Sequence, residues 1–386
     1  MIEINKSTCV GCEACVNICP KNSIRMVQDS EGFFYPEIDK STCINCGLCS
    51  RACIAEQSLK KDEKTEICYA AYAKSEEIRS ASTSGGVFSL LAEYVINNNG
   101  AVYGASYNSN DNSVHHIRID RIDDLNQLRS SKYIQSHIDN SYSLARQDLE
   151  DGRLVLFSAT GCQADGLLKF LNKQYENLIL VDVACHGVPS EGVWKKYLNY
   201  LDFNKPASVC FRNKKTGWEQ SSLIITDGEK TYSKTYYNDI FVSLFLADII
   251  LRKSCFNCPS KSLNRGSDLT IADFWGIKNV DADMFNENGV SLVLINSDKG
   301  KKVFDAISKE TVFKEESLDE ALKYNPSIIS SSKPHEARNG FFEDLSKTDT
   351  PDFSRLYDKY CVFFGKSLCG KAVIKAKRII KRILNK

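Results

Sequence analysis

The sequence predicts a small α+β domain at the N-terminus, an α/β domain with a mixed sheet, and a basic amphipathic helix at the C-terminus. Three observations carry this. Cysteine spacing and flanking residues between Cys9 and Cys53 repeat once, as a duplicated half-domain does. From about Ile67, apolar runs of strand length alternate with segments of helical periodicity. The last stretch, Lys366 to Lys386, holds eight Lys or Arg residues and no acid. A length of 386 residues suits two or three domains, and we divide them as 1–58, 67–345 and 346–386.

The first run reads Cys9-Val-Gly-Cys12-Glu-Ala-Cys15-Val-Asn-Ile-Cys19-Pro20, and the spacing recurs at Cys43, Cys46, Cys49 and Cys53. Lys6-Ser-Thr-Cys9 is echoed by Lys40-Ser-Thr-Cys43. A C-x₂-C-x₂-C-x₃-C-P run is the spacing of bacterial ferredoxins, in which the fourth cysteine ligates the other cluster. Cys9, Cys12, Cys15 and Cys53 are therefore assigned to one 4Fe–4S cluster, and Cys43, Cys46, Cys49 and Cys19 to a second. The second run ends in Cys53-Ile54 rather than Cys-Pro, which alters the turn and removes no ligand. Structural zinc is the simpler alternative, but zinc knuckles use separated CxxC pairs, not two such four-cysteine runs. The N-terminal domain reads as ferredoxin-like with two clusters.

Lys60-Lys-Asp-Glu-Lys-Thr-Glu66 is a charged linker and marks the domain boundary. Beyond it, Ser82-Thr-Ser-Gly-Gly86 opens a helix over Val87–Ile96, stopped by Gly100. Strands are expected at Ala101–Tyr107, Leu154–Phe157, Leu178–Val183, Ala207–Arg212, Leu223–Thr226, Leu269–Asp273 and Val290–Asn296. Helices are expected at Ala164–Leu171, Ser190–Leu201 and Asp239–Leu251. Strands alternating with helices argue for an α/β domain. Cys162, Cys185 and the Cys255-x₂-Cys258 pair sit at strand ends or in loops. Strand ends of α/β sheets converge on one edge, where four thiols suit a third cluster, or equally zinc.

Several motifs occur in an order that resembles a known family. They are Ser82-Thr-Ser-Gly-Gly86, Ser131-Lys-Tyr133, the Cys162-Gln163 turn, Cys185-His-Gly187, Cys255-x₂-Cys258 and Asp273-Phe-Trp-Gly276. Together they resemble the β-subunit family of coenzyme F420 hydrogenases and dehydrogenases (the FrhB/FdhB type), over about Tyr69 to Ile295, with the ferredoxin fused in front. One departure is Ala159-Thr-Gly161 where the family has Gly-Thr-Pro. The resemblance implies an iron–sulfur flavoprotein oxidoreductase with FAD and a third 4Fe–4S cluster on Cys162, Cys185, Cys255 and Cys258. For the flavin it implies Ser82, Ser84, Gly85, Gly86, Lys132 and Tyr133. A glycine pair opening a helix lets backbone approach a pyrophosphate at the free N–H groups, and a lysine adds a point charge near phosphate or flavin. Without the family, Ser82–Gly86 reads as an ordinary cap with a tight helix–sheet contact, and Lys132 as a solvated lysine. Arg252 and Lys253 precede the cysteine pair, either raising the potential of its cluster or lying on the surface. His186 adjoins a proposed ligand, Trp275 is read as core or as a flavin-stacking ring, and Cys68, Cys210, Cys361 and Cys369 are isolated thiols.

The expected activity passes electrons between ferredoxin-type clusters and FAD, then to or from a two-electron acceptor. That acceptor is coenzyme F420, or a metabolite or sugar intermediate of cell-surface polysaccharide synthesis. The alternative is an electron-transfer or interaction subunit that docks a partner enzyme and binds no substrate. The expected partners are a redox protein or ferredoxin-type donor and a small-molecule acceptor. A formal charge of +1 gives no basic field for nucleic acid. No export signal precedes Cys9, and thiolate ligands need a reducing compartment, so the expected location is cytoplasmic. In the tail, Val373, Ala376, Ile380 and Ile383 share a helical face among cations. That helix either lies peripherally at the inner membrane face or docks on its own domain or a partner.

Overall fold

A computed structural model describes residues 2–55 and 67–362. The charged linker Lys60–Glu66, Cys369 and the Lys366–Lys386 helix expected to touch membrane or partner lie outside the described residues. Among the described residues, no helix is long and apolar enough to cross a membrane.

The N-terminal duplication is visible in backbone detail. An antiparallel hairpin, Ile24–Gln28 with Phe34–Ile38, separates two short helices, Ala14–Asn17 and Leu48–Arg51. Each helix is entered through a left-handed residue, Glu13 at φ 58° and Gly47 at φ 76°. Ahead of each run a side-chain oxygen turns the chain: Ser7 N donates to Asn5 Oδ1, and Ser41 N to Asp39 Oδ1.

The larger part is built on a nine-stranded mixed sheet. Its order is Thr311–Glu316, Ile67–Ala73, Ser291–Ile295, Leu269–Asp273, Leu178–Val183, Val155–Thr160, Ala101–Asn108, Ser113–Ile119 and Ser136–His137. The four strands starting at Leu269, Leu178, Val155 and Ala101 run parallel, so their carboxyl ends share one edge. Parallel strands are covered on both faces and read as apolar runs. On Leu178–Val183 the two-residue period separates the faces. Leu178 and Leu180 pack with the helices Ser141–Glu150 and Gly161–Leu171, whereas Ile179 and Val181 pack with Val87–Asn97 and Asp298–Ile307.

A second sheet, Thr231–Thr235, Ser222–Thr226 and Ser208–Asn213, closes over another core with the Glu191–Tyr200 and Ile240–Leu246 helices. The N-terminal hairpin enters this core through Phe33 and Tyr35. Phe353, Leu356, Tyr360 and Cys361 enter it from the far end of the chain, so the stretch just past residue 346 packs with the domain before it. Cys361 is thus a core thiol.

Several expected bounds differ: the Leu154–Phe157 strand runs on to Thr160 and the helix after it starts at Gly161, three residues early. The helix expected over Asp239–Leu251 stops at Leu246, because Asp248 adopts φ 62° and turns Ile249–Leu251 into the core. The helix Val87–Asn97 ends through left-handed Asn99, at φ 56°, rather than at Gly100.

The two lobes touch with little side chain between them. Gly32, at φ +81°, meets Gly192, and a Cβ on Gly32 would lie 2.5 Å from the Gly192 Cα. Beside this contact Ser190 Oγ donates to the Glu31 carbonyl at 2.6 Å, while Arg338 pairs with Glu31 through both terminal nitrogens at 3.1 and 2.5 Å. Burial opposes the Glu31 charge, but Arg338 and Lys253 hold the carboxyl below its ordinary range. His137 Nε2 donates to Glu191 Oε2 at 2.8 Å, with Glu13 Oε1 3.6 Å from its other nitrogen. Burial alone would lower the His137 pKa, yet the two carboxylates lift it to about 10.

Gly32→Ala is expected to destabilise the chain by about 1–3 kcal/mol through overpacking and a strained φ, read as a lower midpoint in urea unfolding. The His137 contribution is complete below its unfolded value of 6.5 and lost as pH rises through about 10. Stability measured from pH 6 to 10 should fall more steeply in the natural chain than in His137→Gln.

Candidate functional site: three thiol groups and a cavity

Two cavities in the N-terminal lobe sort its eight cysteines. Cys9, Cys12, Cys15 and Cys53 line one, of about 600 Å³, and Cys19, Cys43, Cys46 and Cys49 line the other. These are the two sets expected from the spacing. Burial pushes the Cys12 thiol up to about 12, and its neighbours Cys9 and Cys53 push the same way. Cys15 is raised by burial and then by Cys12, Cys9 and Cys53. Thiols that raise one another's pKa lose that penalty when a cationic iron centre shares their charge. Cys46 is exposed, whereas Cys12 and Cys15 are buried, so the second set is the one nearer solvent.

The third set forms where the parallel strands end. Cys162 opens the Gly161–Leu171 helix directly after Val155–Thr160, and Cys185 follows Leu178–Val183. Cys255 and Cys258 arrive from another part of the chain. An isolated bridge joins Leu251 to Pro189, and the Val188 N–H points at Cys255 Sγ at 3.3 Å. Burial raises Cys162, and then Cys258, Cys185 and Cys255 raise it further. Burial pushes Cys255 up to about 12, helped by Cys185. Among the described residues, no three Cys, His, Asp or Glu side chains close on one point as ligands of a single ion do. A cubane instead takes each thiolate on a different iron.

One helix links the first and third sets. A Cβ on Gly166 would lie 3.0 Å from Cys12 Cβ and 3.1 Å from its Sγ, so the Gly161–Leu171 helix lies against the first thiol group. Gly166 follows Cys162 by roughly 6 Å along the axis, one turn. Tyr142, its hydroxyl bonded to the Gln163 carbonyl at 2.7 Å, feels both Cys12 and Cys162.

Cys162 and Cys185 also face a cavity of about 1160 Å³. This exceeds the roughly 300–1,000 Å³ of ordinary small-molecule pockets. Ser82, Ser84, Gly86, Lys132 and Tyr133 line it, together with the first turn of the Val87–Asn97 helix. Gly86 opens that helix at φ 94° with no side-chain cap. Gly85 is committed elsewhere: a Cβ there would sit 2.4 Å from the Ala71 carbonyl, and its N–H bonds to Ser291 Oγ. It holds the helix to the sheet, and its place is behind the lining. Ser84 Oγ donates to the Val290 carbonyl at 2.8 Å, and Ser82 Oγ bonds to Ser89 Oγ.

Lys132 lines the cavity and corrects one sequence reading. It is not a solvated lysine, and its ammonium is occupied, donating to the carbonyls of Gln127, Leu128 and Arg129 at 3.1, 3.0 and 2.8 Å. These bonds close the turn after the Ile122–Gln127 3₁₀ helix, and burial pushes the amine down to about 7. Arg252 is likewise not on the surface, and its charge acts on Cys255 of the CxxC pair by lowering that thiol. It is fully buried beside Cys9. His186 faces Asp248 across 2.7 Å and lines the cavity.

Long-range contacts add residues that local patterns hid. Trp218 stacks on Trp275 with centroids 5.2 Å apart and planes 7° from parallel, and both line the cavity. Trp218 Nε1 donates to Asp273 Oδ1 at 2.6 Å, and Arg212 Nη1 to Asp273 Oδ2 at 2.7 Å. Tyr133 packs against Phe245, Phe211 and Tyr236. Asp273→Asn would leave the buried Arg212 guanidinium without its counter-ion, an expected loss of about 3–5 kcal/mol in denaturant unfolding. Asp273→Glu should recover part of it.

Two family models match parts of the chain. Residues 152–321 match the family model for the C terminus of the beta subunit of coenzyme F420 hydrogenase/dehydrogenase, and residues 8–56 match the 4Fe-4S dicluster domain. Among solved structures, a chain of the F420-reducing [NiFe] hydrogenase complex from Methanosarcina barkeri is similar at 12% identity and a TM-score of 0.44. The likeness covers 79% of this chain and 94% of that one. No curated protein matches the chain. The chain thus pairs a region similar to the beta subunit of coenzyme F420 hydrogenase/dehydrogenase with a match to the 4Fe–4S dicluster domain ahead of it.

Proposed function

We propose that the protein is an iron–sulfur flavoprotein oxidoreductase, passing electrons between ferredoxin-type clusters and a two-electron acceptor. The reading rests on one observation above the rest. Four thiols gather together, two of them, Cys162 and Cys185, at the wall of a cavity large enough for a dinucleotide, and one helix joins that wall to the first N-terminal thiol group. Cys9, Cys12, Cys15 and Cys53 would hold one cluster, Cys19, Cys43, Cys46 and Cys49 a second, and Cys162, Cys185, Cys255 and Cys258 a third.

A flavin bound in the cavity supplies the conversion between single electrons and a hydride. The chain's own groups do the rest. The uncapped first turn at Gly86 presents N–H groups suited to a pyrophosphate. Ser82 and Ser84 flank it, and Gly85 fixes its height above the sheet. Tyr133 offers an aromatic edge, while the Trp218–Trp275 stack forms a rigid wall that excludes water. Lys132 positions the Gln127–Lys132 loop along the cavity rather than donating freely into it. The acceptor is coenzyme F420 or another small two-electron acceptor, and the electron donor a redox protein reaching the more exposed second thiol group.

Anaerobically purified protein is expected to hold about twelve irons per chain, four per cubane, with one FAD. About eight irons and no flavin would instead mark an electron-carrying subunit without a substrate of its own. Cys255→Ser should lose about four irons and slow flavin reduction. Unchanged iron content in that variant would remove Cys255 from the ligand set.

A further inference from the structure

We propose that Arg252 is a positioning residue for the Cys9, Cys12, Cys15 and Cys53 cluster, acting as its buried counter-charge and raising its reduction potential. The proposal rests on the iron–sulfur reading above.

Four arginines are buried among the described residues: Arg212, Arg252, Arg265 and Arg338. Three of them face a carboxylate, Asp273, Asp182 and Glu31 respectively. Arg252 is the most buried of the four, and its partners are all neutral. Nε donates to the Cys9 carbonyl at 2.9 Å, Nη1 to Gln135 Oε1 at 2.9 Å, and Nη2 to the Phe34 carbonyl at 2.8 Å. Its guanidinium carbon lies 4.2 Å from the Tyr35 ring centre and 5.7 Å from that of Phe33. Aromatic faces attract a cation but carry no net charge. Tyr35 itself stays a neutral phenol, since burial pushes its pKa up to about 12.

A guanidinium stays charged in a protein interior, and a buried charge lacking an opposite partner is strongly destabilising. A group able to carry negative charge, Cys9, has its Sγ 3.9 Å from Nη2, and Cys255 feels the same cation. Net charge and hydrogen bonds to the sulfurs are what set an iron–sulfur potential. A fixed cation at this sulfur favours the more negative, reduced state. Arg252 also spans the lobes. Its N–H bonds to the Val188 carbonyl, and its own carbonyl accepts from Cys255 N, so the same residue anchors the turn that carries Cys255.

The test is an EPR-monitored redox titration of the full chain, with iron assayed in parallel, comparing Arg252→Gln with Arg252→Lys. Gln keeps donors but no charge; Lys keeps charge but not the planar fork. Arg252→Gln is expected to lower the midpoint potential of one cluster by about 59 mV, a tenfold change in its one-electron reduction equilibrium, and Arg252→Lys by less than half of that. Loss of that cluster's iron in Gln with retention in Lys also supports the assignment. Equal shifts in both variants, no shift in either, or loss of iron from both overturn it. A natural chain without N-terminal cluster signals would overturn the functional reading instead.

Discussion

Between Cys12 and the Gly161–Leu171 helix there is no room for a side chain, and Gly166 provides that space. This contact constrains the rest. The helix begins at the carboxyl end of a central parallel strand, so its first residues belong to the sheet edge where Cys162, Cys185 and Asp273 emerge. Its second turn lies against the N-terminal lobe. A helix of fixed rise therefore ties the first thiol group to the third without any flexible connector.

The lobes are held in this relation by buried polar contacts as well as by packing. Arg338 and Lys253 converge on Glu31, His137 sits between Glu13 and Glu191, and Gln135 donates to the Val10 and Gly11 carbonyls. Such groups add little net stability, because desolvation offsets much of the attraction. They do penalise any other arrangement, since a shifted lobe would leave charges and carbonyls unsatisfied. Phe33 and Tyr35 supply the apolar burial that favours docking, in the same core as Trp194 and Phe342. The hairpin is consequently part of the larger domain's core and not a separate bead.

Much of the fold could be read locally. Leu178–Val183 and Leu269–Asp273 match their expected bounds because a buried strand is a short, mostly apolar run. Ser190 caps its helix as expected, accepting from Val193 N. The Asp239–Leu251 pattern misled because its apolar residues continue past the helix end; they turn inward to fill the core, and periodicity alone does not register the left-handed Asp248. The solvated reading of Lys132 and the surface reading of Arg252 failed for a related reason. A cation looks solvated in sequence, and only the fold reveals carbonyls arranged around it.

By itself, the sequence determined the thiol chemistry and the duplicated geometry around it. Ligand spacing within one short segment is a local property, bounded by the reach of a few residues. It also determined the strand–helix alternation, through the two periodicities. Tertiary structure decided which distant groups meet: Cys255 with Cys185, Trp218 with Trp275, Arg252 with Cys9. Those encounters depend on strand order and on how the lobes pack, and neither is encoded in any window short enough to read.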